Sequence, residues 1–166
     1  GIGGLAPAAA RAVPEELAAP GENPLLFSGL ALAGANLRAR AAPGAGDGIL
    51  TAQEIATLDL DGVDWAVLSA CRTGVGEVVA GEGVLGLRRA FLLAGARSVV
   101  TSLWSVGDQG ARAWMAALYR HRLLHKATTC AAVRAATLES LRARRARGQS
   151  THPFHWAAFV ALGDWR

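Results

Sequence analysis

A short apolar run that ends in a glycine-rich loop constrains the fold of this chain more than any other feature. The run Trp65-Ala66-Val67-Leu68 is rich in strand-forming residues, and Asp61-Gly62 bounds it upstream. Such a run is typical of a strand that is buried on both faces of a sheet. Glycines at positions 74, 76, 81 and 83 follow it closely. The pattern therefore predicts a central strand over 64–70 that ends beside Cys71.

The position of Cys71 at that strand end makes it the leading candidate for a nucleophile. In open α/β sheets, ligands bind and reactions occur at the carboxyl ends of the strands. Most free cysteines are small buried apolar residues, but a glycine-rich exit from a strand presents this thiol at the sheet edge. Cys130 lies near the start of a predicted helix and is interpreted as structural.

Predicted strands and helices alternate along the chain. Thr51-Ala52-Gln53-Glu54 forms a capping box that opens a short helix, and Asp108 is expected to be the N-cap of a later one. The alternation predicts an α/β fold with a mostly parallel central sheet flanked by helices on both faces. Hydrophobic runs predict strands over 25–33, 64–70, 98–104 and 154–162, and periodicity predicts helices over 84–94, 108–124 and 129–145.

Length and composition narrow the class of protein. A chain of 166 residues fits one domain. No uninterrupted apolar run is long enough for a membrane span, and no signal peptide precedes the first strand. Two cysteines are too few for a disulfide scaffold, so we predict a reducing cytoplasmic location. Met115 is the only methionine, so we expect Gly1 to be an internal position of a longer or processed protein.

The charge of the chain is unevenly distributed. Residues 1–83 carry a net charge of −6 and residues 84–166 a net charge of +10. Such a split can mark a nucleic-acid surface or an acidic partner, although GC-rich codon usage also yields arginine-rich chains. Arg142, Arg144, Arg145 and Arg147 lie at a predicted helix end, where positive charge is favourable. Because no aromatic residues are interleaved with them, we interpret them as a solvated face or a protein docking surface rather than a nucleic-acid site.

Seven separated phrases resemble a known family. They include Asp47-Gly48-Ile49-Leu50-Thr51 and Leu68-Ser69-Ala70-Cys71-Arg72-Thr73-Gly74. In chain order, the phrases lie within residues 23–36, 47–55, 68–74, 81–83, 89–96, 102–108 and 152–164. With these phrases the chain resembles the CHAT domain, a caspase-like peptidase domain of the clan that includes the caspases and separase. The resemblance covers about residues 23–165, and seven phrases in order are more specific than any one of them.

The resemblance implies a cysteine endopeptidase that cleaves a protein substrate with a Cys–His dyad. The thiolate attacks the scissile carbonyl and the imidazole protonates the leaving amine. By motif match the nucleophile is Cys71, and the backbone N–H groups of Cys71 and Gly1 are expected to bind the oxyanion. Asp108 is expected to line the pocket for a P1 Arg or Lys, with Trp104 and Ser102 as its walls. No metal or organic cofactor is implied.

The dyad histidine is absent from its expected place. In the CHAT family it precedes the cysteine, whereas His121, His125, His152 and His155 all follow Cys71. We therefore expect residues 1–24 to be an irregular leading segment and residues 25–166 a partial CHAT domain, with the dyad histidine outside this chain. The pair His121 and His125 has a spacing that can bind zinc, but no glutamate lies between them, and a solvated face is the simpler interpretation. His152 and His155 remain candidates for the dyad base, because the fold and not the order along the chain decides which residues contact Cys71.

Two other functions are weighed against the peptidase. A non-catalytic CHAT-like signalling or adaptor module would keep the fold without a working dyad. A nucleotide-binding domain is suggested by Gly74-Val75-Gly76, but Val79 replaces the third glycine of the fingerprint and a phosphate-binding lysine is missing. The resemblance also implies helical repeats of the tetratricopeptide type as a regulatory region or partner. Neither a membrane nor a nucleic acid is an expected partner.

Overall fold

The fold is known from a computed structural model, which describes residue 25 and residues 28–36, 46–68 and 83–164, the side chains of the last range from residue 86. The predicted leading segment, residues 1–24, lies outside these ranges. The strands are β1 (Gly29–Ala31), β2 (Ile49–Thr51), β3 (Ala66–Leu68), β4 (Ser98–Ser102) and β5 (Phe159–Gly163). The helices are α1 (Ala52–Ala56), α2 (Gly83–Leu93), α3 (Asp108–Tyr119) and α4 (Thr129–Ala146), with a π-helical turn at Arg120–Leu124 and a 3₁₀ turn at Pro153–His155.

The predicted capping box at the start of α1 is confirmed. The Thr51 hydroxyl accepts a hydrogen bond from the Glu54 N–H at 3.2 Å, and the Glu54 carboxylate accepts one from the Thr51 N–H at 2.8 Å. Both bonds satisfy amide groups that the first turn of a helix leaves unpaired. Thr51 is also the last residue of β2, which pairs antiparallel with β1. The box therefore fixes where the small sheet ends and the helix begins.

The main sheet has the order β3-β4-β5. Strands β3 and β4 are parallel, with Leu68 opposite Thr101, whereas β4 and β5 are antiparallel, with Ser102 opposite Phe159. In the described part of the chain this sheet is therefore mixed, not mostly parallel as predicted. The physical reason is that two helices, α3 and α4, separate β4 from β5. Two successive helices return the chain to the edge that it left, so the next strand must run in the opposite direction.

Helices cover both faces of the main sheet, as predicted. Neighbouring residues of β4 point to opposite faces because side chains alternate along a strand. Val99 packs with Leu87 and Ala90 of α2 and with Ile55 of α1, whereas Val100 packs with residues of α3 and α4. All five residues of β4 are buried. The α/β class is therefore confirmed, with β4 at the centre of two apolar layers.

Two predicted boundaries are corrected by the structure. The N-cap of α3 is Gly107, and Asp108 is the first residue inside the helix, so Asp108 does not cap it. The last strand begins at Phe159 rather than at residue 154, because Pro153–His155 forms a 3₁₀ turn before it. A proline at the start of that turn is compatible with a helical geometry but lacks the N–H that a paired strand requires.

Two glycines are required where chain segments approach each other. Gly95, which ends the turn after α2, has a φ of +108°, and a Cβ there would lie 2.4 Å from the Asp61 carboxylate. Gly163, the last residue of β5, has a φ of +99°, and a Cβ there would lie 2.3 Å from the Arg97 carbonyl oxygen. Only glycine combines a positive φ with such close approach. No helix within the described ranges is long and apolar enough to cross a membrane.

Candidate active-site edge

The carboxyl ends of β3 and β4 lie side by side and form what we call the active-site edge. Strand β3 ends at Leu68, which is 7% exposed and faces Thr101 in the neighbouring strand. Strand β4 ends at Ser102, and the segment 103–107 leads from it to α3. Cys71 follows Leu68 by three positions in the sequence. Both Cys71 and Gly1, the residues predicted to supply the nucleophile and the oxyanion donors, lie outside the described residues.

Trp104 is held firmly at this edge. Its indole N–H donates a hydrogen bond of 2.9 Å to the Phe154 carbonyl oxygen, and its ring stacks on the Phe154 ring with centroids 5.9 Å apart and planes 8° apart. The half-buried indole also packs against the apolar layer of α3 and α4. Phe154 itself is 55% exposed. Phe154 is a further residue of the site that the sequence does not indicate, because its apolar surroundings predict a strand residue at this position.

Ser102 and Asp108 flank Trp104 in the sequence but differ in environment. Ser102 is 4% exposed and is part of β4. Asp108 is exposed and lies in the first turn of α3, where the partial positive charge of the helix N-terminus favours a carboxylate. Within the described part of the chain, the Asp108 carboxylate has no recorded hydrogen bond or ion pair. It is therefore a carboxylate without a structural partner among those residues.

The structure separates the four histidines into two pairs at opposite ends of the sheet. His152 and His155 precede β5, which begins at the active-site edge, and their exposed rings lie 6.5 Å apart. The Nδ1 atom of His152 accepts a 3.3 Å hydrogen bond from the Phe154 N–H. His121 and His125 lie beyond α3, close to the start of β3, where Tyr119 contacts Trp65 and Arg122 lies 3.6 Å from Asp64. His121 and His125 therefore do not reach the active-site edge.

His121 takes part in an ion-pair network and is not simply a solvated residue. Its Nε2 atom lies 2.6 Å from the Glu139 carboxylate of α4, and Arg120 donates to the other oxygen of that carboxylate. The hydrogen bond from His121, followed by that from Arg120, lowers the pKa of Glu139 below its ordinary value of 4.5 despite an opposing effect of partial burial. His125 is exposed, as the solvated-face interpretation predicts. The π-helical turn holds Arg120 and His121 where both can reach α4.

We expect Glu139→Gln to lower stability at neutral pH and to have a smaller effect in acid. A carboxylate whose pKa is lower in the folded state stabilises the fold above pH 4.5 and loses that contribution as pH falls through its folded pKa. Because the side chain is 39% exposed, solvent screening limits the effect to about 1 kcal/mol or less. Thermal unfolding of both proteins between pH 7 and pH 3 measures the difference. An equal difference in Tm at both ends of that range would contradict the assignment.

The described residues hold no candidate metal centre. No group of three or more His, Cys, Asp or Glu side chains among them could bind a metal ion. The rings of His121 and His125 lie 5.3 Å apart, and of the two only His121 has a contact with Glu139 in the described residues, which is a hydrogen bond and not part of a metal site. Cys130 is half-buried in the first turn of α4 and has a free thiol.

Comparison with known proteins connects this edge to a family. The family profile of the CHAT domain matches residues 9–164. Tetratricopeptide repeat protein 28 of Homo sapiens is 33% identical over 116 residues, and the protein of the same name from Mus musculus is 32% identical over 116 residues. The alignment covers 70% of this chain in each case but only 4% of the length of either relative. No solved structure matches the chain.

The extent of the profile match decides the assignment. The matched range begins before β1 and ends at Asp164, directly after β5, so it includes every strand and helix that the structure describes. It also contains the phrase around Cys71 and three residues at or after the end of β4, namely Ser102, Trp104 and Asp108. This chain belongs to the CHAT domain family.

Proposed function

We propose that this chain is the cysteine-bearing part of a cysteine endopeptidase domain with a caspase-like arrangement, and that Cys71 is its nucleophile. The observation that carries the proposal is the parallel pairing of β3 and β4, which end at one edge of the sheet. That edge is where α/β proteins bind ligands and perform chemistry. Membership of the CHAT family, which is related to peptidases, supports the same assignment.

Chain geometry supports a position of Cys71 near Trp104. Three residues span at most about 11 Å, so Cys71 is restricted to this distance from Leu68. Adjacent strands are separated by about 4.8 Å, and Leu68 is level with Thr101. The segment from Ser102 to Trp104 therefore lies within reach of the thiol. A peptide substrate bound between Cys71 and Trp104 would cross the ends of β3 and β4.

In the proposed mechanism, a histidine outside this chain takes the proton of the Cys71 thiol. The thiolate then attacks the scissile carbonyl, and the protonated imidazole gives the proton to the leaving amine. Backbone N–H groups, that of Cys71 among them and that of Gly1 as a further candidate, would stabilise the oxyanion. Water hydrolyses the resulting thioester and regenerates the thiol. No metal or organic cofactor enters these steps.

The internal histidines are less suitable as the base. His152 and His155 lie at the active-site edge but precede β5, which β4 separates from β3. Two strand spacings amount to about 9.5 Å, so either imidazole would come within about 3 Å of the thiol proton only if Cys71 extended across the end of β4. A histidine carried by another segment, adjacent to β3 on its other side, satisfies this requirement without displacing β4.

Asp108 supplies the proposed charge for recognition of a P1 arginine or lysine. Its carboxylate is exposed at the start of α3 and has no recorded partner among the described residues. A guanidinium group bound there would make a charge-assisted, bidentate contact. Trp104 would form a wall of the pocket. Ser102 is 4% exposed, so we expect it to support the wall rather than to contact the substrate over a large area.

The test of the proposal is covalent labelling of the full-length protein. An acyloxymethyl-ketone probe with P1 Arg is compared with one carrying P1 Asp, and the adduct is located by mass spectrometry. We expect the Arg probe to label Cys71, and Asp108→Asn to reduce the labelling rate by about tenfold to a hundredfold, because it removes the paired charge. Denatured protein should not be labelled.

The controls of this experiment separate the nucleophile from its pocket. Labelling of Cys71 by the Asp probe would support Cys71 as the nucleophile but contradict Asp108 as the residue that selects the P1 side chain. Labelling of Cys130 at the same rate would indicate general thiol reactivity and contradict the proposed role of Cys71. Absence of labelling by either probe would favour the second candidate function.

That second candidate is a catalytically inactive CHAT-like signalling or adaptor module. It is supported by relatives whose name refers to tetratricopeptide repeats rather than to a peptidase. Under either function we propose that repeats of this kind act as a regulatory region or partner, in a cytoplasmic setting. A histidine at the end of a strand that precedes Gly1 in the full-length protein would favour the enzyme over the adaptor.

A further inference from the structure

The end of α4 carries a concentration of positive charge that the proposed chemistry does not use. The segment from Ser140 to Ala158 contains four arginines, two histidines and no acidic residue. The exposed arginines Arg142, Arg145 and Arg147 form what we call the arginine rim. Arg144, in contrast, is half-buried, and its Nε atom donates a 2.6 Å hydrogen bond to the Ser150 carbonyl oxygen.

The arginine rim lies toward the same end of the sheet as the active-site edge, where β3 and β4 stop. Helix α4 starts at the opposite end, where the Thr129 hydroxyl lies 3.2 Å from that of Ser98, the first residue of β4. Its 18 residues extend about 27 Å, whereas the five residues of β4 extend about 17 Å. The last turns of α4 therefore reach the far end of β4 and beyond.

A series of hydrogen bonds connects the end of α4 to Trp104. Arg144 binds the Ser150 carbonyl, and the Ser150 hydroxyl accepts from the His152 N–H. His152 accepts from the Phe154 N–H, and the Phe154 carbonyl accepts from the Trp104 indole. This series fixes the arginine-bearing helix end relative to the loop that contains Trp104 and leads to Asp108.

The positive charge of the rim is not neutralised by the described residues. None of the three rim arginines has a recorded ion pair or hydrogen bond from its side chain in that part of the chain. Glu139, the one acidic residue of α4, is already bound to Arg120 and His121. The helix C-terminus contributes about half a negative charge, which leaves the rim with a net positive charge of more than two.

We infer that the arginine rim binds an acidic stretch of the protein substrate, outside the residue that enters the P1 pocket. The inference rests on the proposed function and adds a substrate class to it: a basic P1 residue for Asp108, and aspartates or glutamates further along the chain for the rim. Guanidinium groups bind carboxylates in a bidentate manner. Opposite charges at the two places would also fix the direction in which the substrate lies across the edge.

The test measures binding and does not require catalysis. A fluorescent peptide with six consecutive glutamates is titrated with the full-length protein, and a peptide with glutamines in their place is the reference. We expect Arg142→Gln, Arg145→Gln and Arg147→Gln together to weaken glutamate-peptide binding by about tenfold at low salt, with the difference reduced at roughly 0.3 M salt. The control variant replaces three exposed cations elsewhere, Arg89, Lys126 and Arg134, by glutamine and changes the net charge equally.

Each outcome of the titration is decisive for the rim. An equal loss of affinity in the rim and control variants would show that only the net charge of the protein matters, and would overturn the inference. Equal affinity for the glutamine peptide would also overturn it. A duplex DNA oligonucleotide that binds through the rim at least tenfold more tightly than the glutamate peptide would assign the rim to nucleic acid instead. A protein that fails to react with the peptidase probes but binds the glutamate peptide through the rim would reject the peptidase proposal alone.

Discussion

Replacement of Cys71 by alanine is expected to lower the rate of substrate cleavage by the full-length protein at least about a thousandfold, or about 4 kcal/mol of transition-state stabilisation. Alanine removes the only atom that forms a covalent bond with the substrate in the proposed mechanism. The loss should appear in kcat at saturating substrate, because binding by Asp108, Trp104 and the rim is unchanged. Steady-state kinetics on a peptide with a P1 arginine measures it.

Cys130→Ala is the matched control for this substitution. It removes the other thiol of the chain, which is half-buried at the start of α4, and we expect its kcat to remain within about twofold of the unmodified protein. Cleavage that survives Cys71→Ala but not Cys130→Ala would contradict the assignment of the nucleophile. Loss of activity in both variants, with unchanged thermal unfolding, would require a mechanism in which both thiols act.

Replacement of Trp114 by alanine is expected to destabilise the fold by about 3–5 kcal/mol. The indole is 2% exposed, stacks on Phe159 with centroids 4.0 Å apart, and donates a 3.2 Å hydrogen bond to the Thr137 hydroxyl. Its removal would leave a cavity where α3, α4 and β5 meet. Urea unfolding followed by far-UV circular dichroism measures the free energy of unfolding in both proteins.

Two variants make this prediction specific to burial. Trp114→Phe keeps an aromatic ring against Phe159 but loses the hydrogen bond, so we expect a smaller loss than that of the alanine variant. Leu124→Ala removes a large apolar side chain that is 75% exposed, and its effect should remain within about 0.5 kcal/mol. A Trp114→Ala loss as small as that of Leu124→Ala would mean that this layer is not the core of the fold.

The local elements could be predicted because their causes are local. Residues 51–54 contain both partners of a capping box, so α1 follows from four neighbouring positions. The helix from Gly83 to Leu93 ends at a glycine with positive φ, which a sequence can indicate directly. The strand at 98–102 has an apolar run that only a buried position tolerates. These predictions required no knowledge of which elements become neighbours.

The active-site edge could be predicted only in part. The apolar run and the glycines after it predict a strand that ends near Cys71. The alternation of strands and helices predicts parallel pairing, which places Ser102 and Trp104 near that strand end. The stacking of Phe154 on Trp104 could not be derived, because it depends on β5 starting at that edge. Asp108 was placed correctly at the start of a helix, but its role as a cap was wrong since Gly107 occupies the cap position.

By itself, the sequence determined the α/β class, most element positions and the resemblance to the CHAT domain. Periodicity and capping depend on residues that are close together in the sequence, and the order of the motifs can be read directly along it. Only the tertiary structure decided the direction of β5, the separation of the histidines into two pairs and the series of hydrogen bonds that connects the end of α4 to Trp104. Each of these depends on contacts between residues far apart in the chain, which form according to the packing of α3 and α4 on the sheet and have no local signal.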